Sequence, residues 1–172
     1  MKFLAAPWRW PFLTGIRNDR DCIFCRAPKQ ADEESLVCFR GEKCFVLLNK
    51  YPFNSGHLMV APFEHLPSPD PAAAGNIEMW NLALRSMDIL RKHLRPAGFN
   101  VGMNIGKAAG AGIADHFHLH VVPRWEGDAN FMAVTGETRV MSYDIGAVHR
   151  IVADAFHGLV PDESGSGEPP SR

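Results

Sequence analysis

Three short apolar runs open the pattern of the chain: "LVCFR", "CFVLLN" and "HLMVAP". Their β-branched and aromatic residues, with "RGEK" and "KYPFNSG" between them as turns, predict strands over 36–40, 44–49 and 57–62. Strands so close in sequence pair most economically as an antiparallel meander. The period then changes from two to between three and four. Ile77, Trp80, Leu84, Met87, Leu90 and Leu94 recur at helical steps and predict one long helix over 76–94, with this stripe as its core face. Arg91, Lys92, His93 and Arg95 suit the negative end of the helix dipole, and Pro96 and Gly98 stop it. Beyond the helix, "FNVGMNIG" reads as a strand, "KAAGAG" as a flexible loop, "HFHLHVVPRW" as a strand, and 144–156 as a second, weaker helix.

At 172 residues and 46% hydrophobic content the chain can bury one substantial core and needs no second one. The expected organisation is a single domain over 1–160, its segment 1–35 carrying the "CIFC" pair, followed by a tail, 161–172, whose Pro, Gly, Ser and charge predict disorder. The expected fold class is α+β: an antiparallel sheet of about five strands with one long and one shorter helix.

A formal net charge of −1 gives no general attraction to nucleic acid or anionic lipid, so any phosphate recognition must be local. "MKFLAAPWRWPFL" is apolar, but Arg9, Pro7 and Pro11 interrupt it, so it reads as part of the mature fold and not as a leader. A soluble, cytoplasmic protein is expected. Four cysteines are few for a disulfide framework; Cys38 and Cys44 read as core thiols.

The chemistry concentrates in "ADHFHLHVVPRW". In an extended strand His116, His118 and His120 share one face, while Phe117, Leu119 and Val121 take the other. Three imidazoles side by side repel when protonated and have no strand-forming advantage over Thr or Val, so the pattern points to a site. "CIFC" places Cys22 and Cys25 at a spacing that suits two thiolates on one metal ion; a redox pair or two buried thiols share that spacing.

"HFHLHVV" resembles the motif of the histidine triad (HIT) superfamily of nucleotide hydrolases and transferases. "APWR", "CIFC", "NSGHLMVAPFEH", "FNVGMNIG" and "VVPRWEGDANFM" are similar to its bacterial diadenosine tetraphosphate phosphorylase branch, in order and over most of positions 5–134. The resemblance implies that His118 is the nucleophile, forming a nucleotidyl-histidine intermediate, and that His120 bonds phosphate oxygens or helps the leaving group; a purely orienting role is its alternative. A neutral imidazole, with an ordinary pKa near 6.5, suits such an attack at pH 7. Zinc-binding relatives complete a four-ligand site with residues matching His65 and His116, so structural Zn2+ on Cys22, Cys25, His65 and His116 is expected.

The resemblance also places Asn49 at the ribose, with a simple turn role as the alternative, and His57 near the base pocket, or merely at a strand end. Hydrolases of the family commonly carry a Gln four residues ahead of the first histidine; here Gly112 holds that offset. Gly110, Ala111 and Gly112 let backbone N–H groups approach an anion, and Asn104 and Lys107 add a donor and a charge. The loop is expected to seat orthophosphate, or else to be merely flexible. The implied reaction is phosphorolysis of diadenosine tetraphosphate to ATP and ADP. The alternatives are a hydrolase or phosphoramidase of the same fold using water, and a nucleotide-binding module without turnover. Small-molecule dinucleotide and phosphate are the expected partners, with a homodimer or higher homo-oligomer.

Overall fold

The computed structural model describes residues 22–71, 73, 75–128 and 144–159. The apolar N-terminal stretch, the end of "RWEGDANFM" and the tail after position 159 lie outside the described residues, as do the expectations placed on them. Five strands form one antiparallel sheet: β1 (Val37–Arg40), β2 (Cys44–Leu48), β3 (Leu58–Pro62), β4 (Gly98–Met103) and β5 (Leu119–Arg124). Their order is β1-β2-β3-β5-β4. The first three make the expected meander, and β5 slots between β3 and β4, with His120 opposite both Met59 and Gly102.

Two short helical turns, α1 (Ile23–Arg26) and α2 (Asp32–Ser35), precede β1; α3 (Gly75–Leu94) and α4 (Ile145–Phe156) follow later. Asp144 caps α4, its carboxylate accepting from the Ala147 N–H at 2.8 Å. The architecture is α+β, as expected. Among the described residues, no helix is long and apolar enough to cross a membrane.

The sheet buries both faces. On one, Val46, Leu48, Leu58, Val60, Leu119 and Val121 meet α3 and α4, and Cys38 and Cys44 join this core as buried thiols. On the other, Phe45, Leu47, Met59 and Ala61 pack against Phe24, Ala27 and Ile113. The catalytic-looking histidines belong to this second, thinner layer.

The long helix is where expected, but its core face is not. Leu90 and Leu94 are buried and Met87 half-buried, whereas Ile77, Trp80 and Leu84 are 71%, 52% and 48% exposed. The sheet instead receives Met79, Leu82, Ala83, Ser86 and Ile89. Residues two apart stand about 200° around a helix, so Ile77 and Met79 cannot share a face. The true face uses the small Ala83 and Ser86, which let the helix approach the sheet, and the Ser86 hydroxyl donates to the Leu82 carbonyl at 2.7 Å. Glu78 then clamps the helix start to the β1–β2 turn, its carboxylate accepting the N–H groups of Glu42 at 2.6 Å and Lys43 at 2.7 Å.

A second correction concerns the histidine strand. β5 starts at Leu119, so His116 and His118 lie just before the ladder proper. Alternation persists regardless, because the Phe117 N–H donates to the Leu66 carbonyl at 2.8 Å and the Phe117 ring packs with Leu119 and Val121 beneath α3.

Candidate active site

Each histidine is held by a partner that dictates which nitrogen carries its proton. The His118 Nδ1–H donates to the His116 carbonyl at 2.9 Å, so the neutral ring keeps a lone pair on Nε2. Burial lowers the His118 pKa below the ordinary imidazole value, partly opposed by that hydrogen bond, and keeps the ring uncharged near neutrality. His116 is reversed: its Nε2–H donates to the Pro62 carbonyl at 2.9 Å, which turns Nδ1 into its free lone pair. Burial pushes the His116 pKa down to about 4.

His120 takes its tautomer from His57 behind it. The backbone N–H of Phe53 can only donate, and it reaches His57 Nδ1 at 3.1 Å; the Asn49 amide approaches the same nitrogen at 3.3 Å. His57 therefore carries its proton on Nε2 and donates to His120 Nδ1 at 2.9 Å. In consequence His120 bears its own proton on Nε2. A main-chain amide thus fixes two imidazoles in series, and Phe53 stacks on His57 with centroids 5.0 Å apart. His118 and His120 meet edge to face at 4.7 Å.

These two rings border a cavity of about 370 Å³. Phe24 and Ala27 wall it on one side, Leu47 and Asn49 on another, and Asn104, Gly110 and Gly112 on a third. Gly110 and Gly106 have φ near +81°, a conformation open to glycine and strained for other residues, so the loop's course depends on them. Phe24 is fully buried between the two cysteines of "CIFC", and its ring lies 4.4 Å from His118 and 5.2 Å from His116.

Cys22, Cys25, His65 and His116 converge with their ligand atoms all within 4.8 Å of one another. His116 Nδ1 lies 3.4 Å from Cys22 Sγ, 3.6 Å from Cys25 Sγ and 3.2 Å from His65 Nδ1, and Cys25 Sγ lies 3.2 Å from His65 Nδ1. A zinc tetrahedron with bonds of roughly 2.0–2.3 Å has edges of roughly 3.3–3.8 Å, so the donor set fits one such ion.

Downstream of the histidines, Arg124 forms a two-pronged pair with Asp128, Nε to Oδ2 at 2.7 Å and Nη2 to Oδ1 at 2.9 Å, and Nη1 donates to Asn100 Oδ1 at 2.8 Å. The buried Asn54 amide donates to Asp128 Oδ2 at 2.8 Å and to the Pro123 carbonyl at 3.1 Å. The Arg124 guanidinium holds the Asp128 carboxyl down at about 2.

The HIT domain matches residues 30–127. The chain belongs to the HIT family. Within it, the chain is 39% identical to the AP-4-A phosphorylase of Mycobacterium tuberculosis (strain H37Rv), over 87% of this chain and 82% of that protein. It is 29% identical to the bis(5'-adenosyl)-triphosphatase of Dictyostelium discoideum, over 55% of this chain and 64% of that one. Among solved structures, the zinc-bound histidine triad family protein of Mycobacterium smegmatis superposes with a TM-score of 0.64 at 26% identity, covering 83% of this chain and 97% of that one. The chain is thus a HIT-family enzyme with a cluster able to hold a metal.

Set on this HIT scaffold, the catalytic and substrate-binding residues singled out from sequence fall into three groups. His118, His120, Asn49, Asn104, Gly110 and Gly112 line the cavity together. His57 is fully buried behind His120 and is not among the lining residues. Lys107 and Ala111 are not among them either, Lys107 being exposed on a short 3-10 turn. Arg124 reads from sequence as shaping the site or a subunit contact, whereas Phe24, Phe53 and the Asp128–Asn54 part of its network were missed: an aromatic residue between two cysteines signals packing, and an Asp in a Gly-containing turn reads as turn chemistry. The three-residue offset within "CIFC" was the one usable sign, because it puts Phe24 on the turn that bears the cysteines.

Proposed function

We propose that the chain is a nucleotidyltransferase that cleaves diadenosine tetraphosphate with orthophosphate to ATP and ADP through an adenylyl-His118 intermediate. The observation that carries this reading is the pair of opposite tautomers at one cavity: a bare Nε2 on His118 beside a protonated Nε2 on His120. The mycobacterial relative, named AP-4-A phosphorylase, supports the substrate.

In the first step the His118 Nε2 lone pair attacks the α-phosphorus, the bond from that phosphorus to its bridging oxygen breaks, and ATP departs as an anion whose freed oxygen accepts a hydrogen bond from His120 Nε2–H. In the second step an unprotonated oxygen of hydrogen phosphate attacks the same phosphorus, the P–N bond breaks and returns its electron pair to His118 Nε2, and ADP leaves. Catalysis of this kind rests on positioning and charge stabilisation, which rings held by backbone groups supply. The positive-φ Gly106 and Gly110 support a phosphate seat, with Asn104 as donor. Lys107 and Ala111, away from the lining, are assigned to the outer turn of that seat; Asn49 is assigned to the ribose. His57 orients His120.

Zn2+ on Cys22, Cys25, His65 and His116 is proposed as structural, its four protein ligands leaving no open position for water. The ion fastens the α1 turn, and Phe24 with it, to the triad. The exposed face of Ile77, Trp80 and Leu84 supports a homodimer or higher homo-oligomer. A single domain through residue 160 and a cytoplasmic location complete the proposal.

The acceptor is the point to test. Purified protein with diadenosine tetraphosphate should give ADP and ATP only when orthophosphate is added. AMP and ATP formed equally well without phosphate would establish the second reading, hydrolysis, which the triphosphatase relative favours.

A further inference from the structure

A second groove, of about 430 Å³, adjoins the first cavity. It is lined by Asn54, Asn100, Gly102, Met103, Val122 and Arg124, and it shares Phe53, Asn104 and His120 with the cavity that holds His118. His118 lines the first alone; His120 is the partition. We infer that this groove seats the departing half of the dinucleotide, a nucleoside polyphosphate. The inference rests on the nucleotidyl-transfer reading and extends it.

The geometry of displacement supplies the first argument. Nucleophile and leaving oxygen sit on opposite sides of the attacked phosphorus. With His118 attacking from inside the first cavity, the bond that breaks points away from it, toward the ring whose Nε2–H meets the leaving oxygen. That ring is His120, and what lies beyond it is the second groove. Its volume falls within the roughly 300–1,000 Å³ of small-molecule sites.

The lining chemistry supplies the second. Arg124 is oriented by its bonds to Asp128 and Asn100, which use one N–H each on Nε, Nη1 and Nη2. One N–H on each terminal nitrogen is left over from those bonds, a fork suited to phosphate oxygens. Asn100 accepts from Arg124 through Oδ1, so its NH2 is the end that donates. The edge of Phe53 offers a surface for a base or ribose.

Gly102 supplies the third. It stands opposite His120 in the β4–β5 ladder, so a side chain there would share the histidine's face. An added Cβ would meet nothing within 4 Å, and the backbone is not left-handed. Neither packing nor conformation calls for glycine there, although strand glycine costs about 0.5–1 kcal/mol relative to alanine. A bare floor beside the leaving-group histidine is what a close-lying phosphate chain requires.

The test compares two substrates that share the adenylyl half, diadenosine tetraphosphate and adenosine 5'-phosphosulfate, whose leaving group is only sulfate. Gly102→Val in the full chain fills the groove and should lower the ratio of kcat/KM for dinucleotide to kcat/KM for phosphosulfate at least tenfold. Asn100→Leu, on the exposed edge strand, should lower it severalfold and serves if the valine variant does not fold. A ratio unchanged in the folded variant, or equal losses on both substrates, would overturn the groove assignment while leaving nucleotidyl transfer standing. Wild-type protein that turned over neither substrate would overturn both.

Discussion

The ring of Phe24 lies 4.4 Å from the ring of His118, tilted by 35°, while the residues two before and one after it are cysteines of the metal cluster. The turn that carries the two cysteines of the cluster therefore also provides the wall behind the proposed nucleophile. Shortening that wall to Phe24→Leu should leave metal content at the wild-type level. It should also cost about 1–2 kcal/mol of stability and slow the formation of adenylyl-enzyme about tenfold, since His118 gains room to tilt. Rapid-quench trapping of labelled enzyme, beside metal analysis, reads both; a wild-type rate with full metal would remove Phe24 from this role.

His57→Ala deprives His120 of the donor that fixes its tautomer. The expected loss is about 10²-fold in kcat with KM little changed, in the range seen when one donor to a developing anion is removed. A p-nitrophenyl leaving group, whose developing charge spreads into its own ring and away from His120, should show a much smaller loss. Equal losses for both leaving groups would assign His57 to packing alone.

Cys25→Ser, or chelation, should release one zinc per chain and lower Tm by on the order of 10 °C. Elemental analysis and a thermal scan check this. A wild-type protein purified free of metal, with Tm insensitive to chelator and to added zinc, would argue against a structural ion.

Asp128 should stabilise the fold in a pH-dependent way. Its folded pKa, about 2, lies below the ordinary carboxyl value because Arg124 bonds the charged form, so the contribution is complete above about pH 4 and is lost as pH falls toward 2. Asp128→Asn should cost about 1–3 kcal/mol at pH 7, part of it from the disrupted contact to the buried Asn54 amide. The gap from wild type should close between pH 4 and pH 2 in denaturant titrations. A gap independent of pH would show that the charge contributes nothing.

Trp80→Lys combined with Leu84→Glu should convert an oligomer to monomer without loss of helix, as read by light scattering and circular dichroism. An unchanged mass would assign this face to something other than self-association.

Much of this was readable in the chain. The alternation of 116–122 gave the histidine face, because side-chain direction in extended backbone is a local property, and the Gly-rich loop announced itself by composition. The core face of α3 was misread over its first half for a physical reason: the helix carries two apolar stripes that merge at Leu90 and Leu94, and before that point the one with larger residues is not the one that packs. Ala83 and Ser86 win because the sheet is near, which is tertiary information. His57 could not have been assigned to His120 either, since 63 residues separate them and only the β3–β5 pairing brings them together.

That pairing has a bearing on assembly. β5 sits between β3 and β4, both made earlier in the chain, so it seats as a wedge between two strands separated in sequence by the whole of α3. Until the wedge is home, Nδ1 of His120 has no His57 to receive from and Phe24 has no imidazole to lean on. An incompletely folded chain accordingly lacks the paired imidazoles of the candidate site, which come into register only with the completed sheet.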